Sequence, residues 1–551
     1  MPRPRVPLLL ALAVLAACTY RKGWDPPPPP PPEDQADGGT VVLPPEPRLP
    51  WARRAVTYEL FVRSFKDSDG DGKGDLAGLI SKLDYLTDLG VDAIWLMPIF
   101  ASPSYHGYDA TSYDLVNPDY GTVEDFQRLA SQAHQRGIKV ILDLTINHTG
   151  SGHPWFVDSA SSPTSAHRDW YVWSPTDPGW RQPWNPYSGS STWHLLNGAY
   201  FYGVFWGGMP DLNFRTQAVR EEVKRIALQW LDRGADGFRL DASRYLVETG
   251  GGGGQADTAE THAYWREFAA AVRAARPDAM LVGENWADTA TIATYYGSTS
   301  SVPGGDELQL NFDFPLASAI LNGINGGSGS GIASAIDQVR SVYPAGATDA
   351  PFLANHDMRR TASQLGASTG KIANALAIVL TVPGSPFIYY GEELGLLNGS
   401  TCGGCDEDKR TPMPWDATPG GGFTTGTPWH PLAPGPGTAN VAAQTNVATS
   451  PLDRTRRLIA ARHGSEALSQ GSIQFLSRTG PVLAFTRQSD PETVLVVHNL
   501  GDSGASAGPF SIAGSSAVTL FADPGATDLS GGGGSFRASV GARGTGIYLI
   551  R

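Results

Sequence analysis

The segment Gly237-Phe-Arg-Leu-Asp-Ala-Ser-Arg244 decides the fold. It begins as a short apolar run and ends in charge, with Arg239 and Asp241 two residues apart and therefore on one side of an extended strand. Just before it, residues 218–234 set Val219, Val223, Ile226, Ala227 and Trp230 at helical spacing, with Gly234 as the stop. A helix leading into a strand is half of a repeating unit, and the alternation continues in both directions. Strand-like runs occur at 55–65, 91–100, 139–147, 237–244, 280–286, 308–314, 351–357 and 385–393, and helical periods at 75–90, 123–137, 259–277 and 371–382. Alternating strands and helices imply a parallel sheet, and eight such runs predict an α/β architecture closed as a (β/α)8 TIM barrel.

Two stretches break the rhythm. Residues 149–209 follow the third strand and hold seven of the fifteen tryptophans: Trp155, Trp170, Trp173, Trp180, Trp184, Trp193 and Trp206. Most of these read as the packing of an irregular insertion, which leaves one or two for a sugar groove, since aromatic faces match the C–H faces of pyranose rings. After residue 451 a helix leads into short alternating runs at 482–486, 493–499, 517–521 and 546–549 with Gly, Ser and Asp turns between them. That pattern predicts a C-terminal antiparallel β-sandwich over 466–551. The barrel is then expected over 51–148 and 210–465, with glycine runs at 250–254 and 326–331 read as flexible loops on its rim.

The chain of 551 residues has a formal charge of −13, from 41 Lys and Arg against 54 Asp and Glu. Without a long basic run it lacks the footprint of a nucleic-acid binder, and a neutral polar ligand fits better. Arg3 and Arg5 precede an apolar run over 6–17, too short to span a bilayer but suited to a signal peptide over 1–17. The run ends in Leu15-Ala-Ala-Cys18, which resembles a bacterial lipobox with Cys18 as the lipidated residue. Pro26 to Pro32 then open a semi-rigid linker within 18–50. The expectation is an exported monomer tethered to the membrane through Cys18, at the outer membrane or cell surface. Cys402 and Cys405 read as a local disulfide in an oxidising compartment.

Residues at the C-terminal ends of barrel strands face the active site. Asp143, Asn147 and His148 stand there in DLTINH, Arg239 and Asp241 in GFRLDASR, Glu284 in LVGENW, and Asn355, His356 and Asp357 in FLANHD. Three carboxylates from separate segments, joined by two histidines and an arginine, are more than turns and caps require. These four motifs, with GVDAIWLMP (90–98), MPDLN (209–213) and GSPFIYYGEELGL (384–396), resemble the α-amylase family, glycoside hydrolase family 13, over residues 51–551.

The resemblance implies that Asp241 is the nucleophile, Glu284 the general acid/base and Asp357 the carboxylate that holds sugar hydroxyls and stabilises the transition state, with Arg239 orienting Asp241. It further implies that His148 and His356 bind hydroxyls of the sugar at the cleavage point and that Tyr108, in YHGYDATSYD, stacks on that ring, while Asp109 supports the loop. The chemistry agrees. Cleavage with retention needs an ionised carboxylate and a protonated one about 5–5.5 Å apart. Arg239 should favour the ionised form of Asp241, and an apolar neighbour such as Trp286 should raise the pKa of Glu284.

The loop Asp67-Ser-Asp-Gly-Asp71-Gly-Lys-Gly-Asp75 sets oxygens at alternate positions, as a hard cation requires. Gly78 stands where an EF-hand would have its last Glu, so the loop is of another kind. It resembles the calcium loop after the first barrel strand in branches of the family, with Asp67, Asp69, Asp71 and Asp75 as side-chain ligands and the Lys73 carbonyl as a further one. The resemblance to true α-amylases also allows a second calcium site using Asn147, whose partners the sequence does not place.

Ala242 after the nucleophile resembles α-1,4-cleaving members, whereas Ser243-Arg244-Tyr245 departs from the Lys-His common in α-amylases, and 409–416 (KRTPMPWD) resembles a loop of oligosaccharide-acting relatives. The favoured reading is an α-amylase on starch-like α-glucan or maltooligosaccharide. The rivals are an α-glucosidase, cyclomaltodextrinase or glucosyltransferase of the same family, and a non-catalytic glycan-binding lipoprotein.

Overall fold

Alternation along the barrel strands divides their side chains between two cores. Ala93, Trp95, Ile141, Met280, Val282, Leu310 and Phe312 meet Ala350, Phe352 and Phe387 in one cluster. Their chain neighbours Ile94, Leu96, Val140, Leu142, Phe238, Leu240 and Leu281 enter a second, larger cluster with the helices. Burial on both faces is the mark of a parallel sheet covered by helices. The computed structural model describes residues 50–300, 302–523 and 527–551; the signal peptide, Cys18 and the proline-rich linker lie outside the described residues.

The eight strands are β1 (Thr57–Leu60), β2 (Ala93–Leu96), β3 (Lys139–Leu144), β4 (Gly237–Leu240), β5 (Met280–Gly283), β6 (Leu310–Phe312), β7 (Thr348–Ala350) and β8 (Phe387–Tyr389). They pair in parallel in the order β7-β6-β5-β4-β3-β2-β1-β8. The ring closes between β7 and β8 through Ser385 N to Asp349 O, 2.8 Å, and Phe387 N to Pro351 O, 2.9 Å. The TIM barrel is therefore as expected. Helices Val123–Gln135, Gln217–Asp232, Ala259–Ala275 and Thr369–Thr381 match the helical periods.

Several local readings are corrected. The seventh run, 351–357, is not a strand: β7 ends at Ala350, because Pro351 has no N–H for the ladder, and FLANHD is the loop that follows. The helix expected over 75–90 is two, Leu76–Ile80 and Leu83–Leu89, the second ending on Gly90 in the left-handed region (φ 90°). The glycines at 326–331 are not a free rim loop. They join helices Phe314–Gly326 and Ser330–Val342, and Gly329 N bonds to Gly480 O of the C-terminal domain at 3.1 Å. The 250–254 run stays at the surface, with open space around Gly250, Gly252 and Gly253, and is followed by buried Gln255, which donates to Arg181 O at 2.8 Å.

The insertion forms a helix, Pro154–Ser161, and a three-stranded sheet of Trp173–Ser174, Ala199–Tyr202 and Trp193–Leu196. Its tryptophans mostly pack on one another and on nearby aromatic rings, as Trp155 does on Trp170 and Trp180 on Trp193. Trp184 and Trp206 stay more open, at 37% and 56% exposure. Beyond helix Pro451–His463, two antiparallel sheets of five and three strands bury Ala484, Leu495, Val497, Phe510, Phe536 and Tyr548 between them, giving the expected sandwich. Among the described residues no helix is long and apolar enough to cross a membrane.

Candidate active site

Register carries the charged residues to one mouth of the barrel. Asp143 on β3 lies beside Arg239 on β4, and Val282 on β5 lies on the other side of Arg239. Asp241 and Glu284 each follow two residues later on the same inward side. The Arg239 guanidinium is fully buried and holds three carboxylates: Nη1 lies 2.8 Å from Asp143 and 2.7 Å from Asp241, and Nη2 lies 2.8 Å from Glu284. Arg239 therefore contacts Asp241, and Asp241 is one of its three carboxylate partners.

Glu284 is held at both oxygens. Oε1 accepts from Trp286 Nε1 at 2.9 Å and lies 2.8 Å from the Arg239 guanidinium in an ion pair, and Oε2 accepts from the Ala242 backbone N–H at 3.1 Å. Ala242 sits at φ 50°, a conformation that costs a non-glycine residue on the order of 1–3 kcal/mol and turns its N–H toward Glu284. With Oε1 facing both the indole N–H and the positive guanidinium, the proton of a neutral Glu284 belongs on Oε2, which keeps a lone pair for the Ala242 N–H.

The third carboxylate comes from the loop after β7. Asp357 Oδ2 lies 3.2 Å from His356 Nε2, and Oδ1 lies 2.7 Å from Arg410 Nη2. His356 Nδ1 lies 2.6 Å from buried Glu59 on β1. Tyr108 links the two halves: its hydroxyl donates to Asp143 at 3.0 Å and lies 2.5 Å from His356 Nε2, with its ring stacked on the imidazole at 5.5 Å. His148 is buried, with Nε2 3.0 Å from Tyr108 O and Nδ1 3.0 Å from Asn147 Oδ1. Asp109 accepts from Ser102 and Ser104 and supports the loop that carries Tyr108.

Burial dominates the protonation of this cluster. It raises Glu284, the expected direction, with Arg239 opposing and Asp241 and Asp357 assisting, but Trp286, expected to contribute to the rise, opposes it through its indole N–H. It also raises Asp241, against the pull of Arg239, so the two carboxyls are not separated by environment alone. Asp143 is pushed up to about 7 by burial. Asp357 goes the other way: burial acts upward, but His356 and Arg410 hold it well below the ordinary carboxylate range. His356 rises to about 10 although burial opposes charging, because Asp357 and Glu59 flank it, whereas burial lowers His148 to about 4 and keeps it neutral. The site thus offers a positive imidazole and guanidinium around an ionised Asp357, beside a pair of carboxyls suited to share one proton.

The motifs alone did not single out Arg410 or Glu59 as site residues, and they gave Asp143 no role. Asp143 was visible as a strand-end carboxylate, and Arg410 lies in the 409–416 motif, but nothing in the sequence around Glu59 marks it.

In the Asp-rich loop, one carboxylate oxygen from each of Asp67, Asp69 and Asp71 lies within 4.8 Å of the others. Asp67 is buried, and hydrogen bonds from Thr424, Gly70 and Gly72 hold its pKa down against the effect of burial. Asp75 instead caps helix Leu76–Ile80, accepting from Gly78 N at 2.7 Å and from Ser68 N at 2.8 Å. Lys73 turns its ammonium to Asp119, 2.7 Å away. Asn147 donates to Tyr245 O at 2.9 Å, close to the buried Asp211. Cys402 and Cys405 are joined as a disulfide.

Comparison with known proteins agrees with this geometry. The family profile described as alpha amylase, catalytic domain, matches residues 59–471. Alpha-amylase 3 of Dictyoglomus thermophilum is 41% identical over 457 residues, which cover 82% of this chain and 85% of the relative. The trehalose synthase/amylase of Mycobacterium tuberculosis is 35% identical over 510 residues, 84% of each chain. The crystal structure of the alpha-amylase from H. orenii superposes with a TM-score of 0.80 at 37% identity, covering 90% of this chain and 99% of that one.

Proposed function

The chain belongs to the α-amylase family, as a glycosidase of α-glucans, and from that premise we propose that it is a retaining α-amylase that hydrolyses internal α-1,4 bonds of starch-like glucans and maltooligosaccharides. The observation that carries the reading is the single guanidinium of Arg239 in contact with both Asp241 and Glu284, which keeps an attacking carboxylate and a proton donor at one bond.

In the first step an Asp241 oxygen attacks the anomeric carbon. The glycosidic C–O bond breaks, its electrons stay on the leaving oxygen, and that oxygen takes the proton from Glu284 Oε2. Glu284 then removes a proton from water, the hydroxide equivalent adds to the anomeric carbon, and Asp241 leaves as carboxylate. Asp357, kept ionised by Arg410 and His356, accepts hydroxyl hydrogen bonds and offsets the positive charge that develops on the ring.

A polymeric substrate is supported by the aromatic rim on the Glu284 side. Trp184 packs on Phe205 and Tyr245, Arg244 covers Tyr245, and Trp286 is 38% exposed beside the acid. A second reading, sugar transfer, is favoured by the likeness to a trehalose synthase/amylase.

For the Asp-rich loop we infer a structural calcium ion. Asp67, Asp69 and Asp71 offer hard oxygen donors close enough to repel one another strongly without a cation, and the ion would brace the loop after β1. From the N-terminal sequence the further proposal is a lipid-anchored monomer at the cell envelope.

The decisive experiment incubates the protein with maltoheptaose and follows fragment lengths and the anomeric form of new ends. Internal cuts with α-configured ends support the reading, β-configured ends defeat retention, and exclusive release of terminal glucose or formation of trehalose defeats the endo-amylase. Asp241→Asn should retain glucan binding while turnover is lost.

A further inference from the structure

The two residues after Ala242-Ser243 and the loop at 257 form an ion-paired bracket that the catalytic reading leaves without a task. Asp257 stands at φ 56°, an unfavourable backbone for a non-glycine residue, and its N–H donates to Arg244 O at 3.0 Å. Its carboxylate takes Arg244 in a two-point contact, with Nε to Oδ1 at 2.9 Å and Nη2 to Oδ2, and accepts the Tyr295 hydroxyl at 2.7 Å. A forked pair of this kind fixes the orientation of the guanidinium as well as its position. The remaining nitrogen, Nη1, donates to the backbone carbonyl of Trp286.

Trp286 is the residue whose indole N–H reaches Glu284 Oε1 at 2.9 Å, and its ring stacks on Phe314 at 4.1 Å. A half-exposed indole at a site mouth has rotamer freedom that one stacking contact does not remove. Anchoring its backbone from one side while Phe314 supports the ring from the other defines where the N–H points. We propose that Arg244 and Asp257 are positioning residues that hold Trp286 so that its indole N–H occupies Glu284 Oε1 and leaves the acid proton on Oε2 facing the leaving oxygen. The proposal rests on the reading of Glu284 as the general acid/base.

The indole N–H stabilises the carboxylate form of Glu284. The other groups that face this carboxyl are Arg239 and Asp241 from β4 and its extension, Tyr245 beyond them, Asp357 from the loop after β7, and the Ala242 N–H. Arg244→Met also removes the charge of Arg244, whereas Asp257→Asn and Trp286→Phe keep it, so a shift in the titration of Glu284 shared by those two variants reports on Trp286.

The test compares wild type with Arg244→Met, Asp257→Asn and Trp286→Phe on two substrates: maltoheptaose, whose leaving sugar needs a proton, and a nitrophenyl α-maltoside, whose leaving group does not. Loss of positioned acid should cut kcat/KM on maltoheptaose by about 10–100-fold and on the aryl substrate by less than about threefold, because general acid catalysis is the contribution removed. The alkaline limb of kcat/KM should move to higher pH, since a donor to the carboxylate is lost. In the double variant Arg244→Met with Trp286→Phe the losses should fall short of additive.

Equal losses on both substrates, an unmoved alkaline limb, or strict additivity would overturn the proposal and mark the bracket as structural. Glu284→Gln separates the two levels of argument. If it hydrolyses maltoheptaose as wild type does, the acid/base reading fails; if it is inactive while Arg244→Met behaves as wild type, the bracket alone fails.

Discussion

Arg410 Nη2 lies 2.7 Å from Asp357 Oδ1 while Nε of the same guanidinium donates to the His356 carbonyl at 3.0 Å, so one buried arginine holds both residues of the His-Asp pair from outside the barrel strands. Asp357 keeps a side-chain exposure of 35% and can meet a ligand, whereas Arg410 at 3% is locked in place. The arrangement is a preorganised anion whose charge is maintained by fixed partners.

Replacing Arg410 by Ala should therefore lower kcat on maltoheptaose by about 100-fold or more, the usual effect of deleting one preorganised electrostatic partner. Asp357 would lose one of the three cations that depress it, Arg410 beside His356 and Arg239, so the acid limb of kcat/KM should move to higher pH. Arg410→Lys retains charge without the fork and should recover only part of the rate. Steady-state pH profiles of the three proteins decide; an unmoved acid limb in Arg410→Ala would show that Arg410 does not set the charge of Asp357.

A second carboxyl pair lies beneath the sheet mouth. Asp313 caps helix Phe314–Gly326 through Leu316 N at 2.9 Å, and burial raises it to about 6; Asp349 on β7 beside it is raised well above the usual range, also by burial. In the folded state the pair keeps protons that the unfolded chain releases near pH 4, so stability falls as pH rises from about 4 through 6 and beyond. Asp349→Asn supplies an N–H donor in place of the shared proton. Its thermal midpoint should exceed that of wild type at pH 8 and lose that advantage at pH 4.5. Scanning calorimetry at the two pH values checks this, and a midpoint below wild type at pH 8 would refute it.

The reach of the sequence differs between these sites for physical reasons. Arg239 and Asp241, two apart at a strand end, share a side by geometry alone, and the same parity places Glu284 on the adjacent strand. Arg410 meets Asp357 across 53 residues and Glu59 meets His356 across 297, and no local periodicity reports such pairings. Helices Phe314–Gly326 and Ser330–Val342 were hidden because five glycines and two serines fall between 323 and 331, a composition that reads as loop, although Ile320, Ile324, Ile332 and Ile336 supply a buried face. The seventh strand was displaced toward the apolar residues Phe352, Leu353 and Ala354, which are buried in the loop instead.

If calcium braces the Asp-rich loop, chelation should lower the thermal midpoint of wild type and added calcium should restore it, with stabilisation that grows with the logarithm of free ion. Asp69→Ala, which removes a ligand from an exposed position, should abolish that dependence while altering the midpoint in chelator little. Asp67→Ala is the poorer probe, since its carboxylate also accepts from Gly70 N at 2.7 Å and Gly72 N at 2.9 Å. A midpoint indifferent to chelator and to added calcium would remove the ion from the description.

The Cys402–Cys405 link closes a short loop next to the residues that hold Asp357. Cys405 is the residue before helix Asp406–Lys409, Cys402 N donates to buried Asp408 at 3.1 Å, and Lys409 Nζ donates to Asp357 O at 2.8 Å. Closing so few residues removes little entropy from the unfolded chain, so the bond should contribute little to global stability. Its effect should instead appear in the aim of Lys409 and Arg410 at Asp357. Cys402→Ser with Cys405→Ser is thus expected to leave the thermal midpoint within about a degree or two while lowering kcat/KM on maltoheptaose by roughly tenfold, as small misplacements near a reacting centre do. Dithiothreitol should lower the activity of wild type toward that of the double variant and leave the variant unaffected. A large fall in the midpoint with unchanged kinetics would assign the disulfide to stability and sever it from the site.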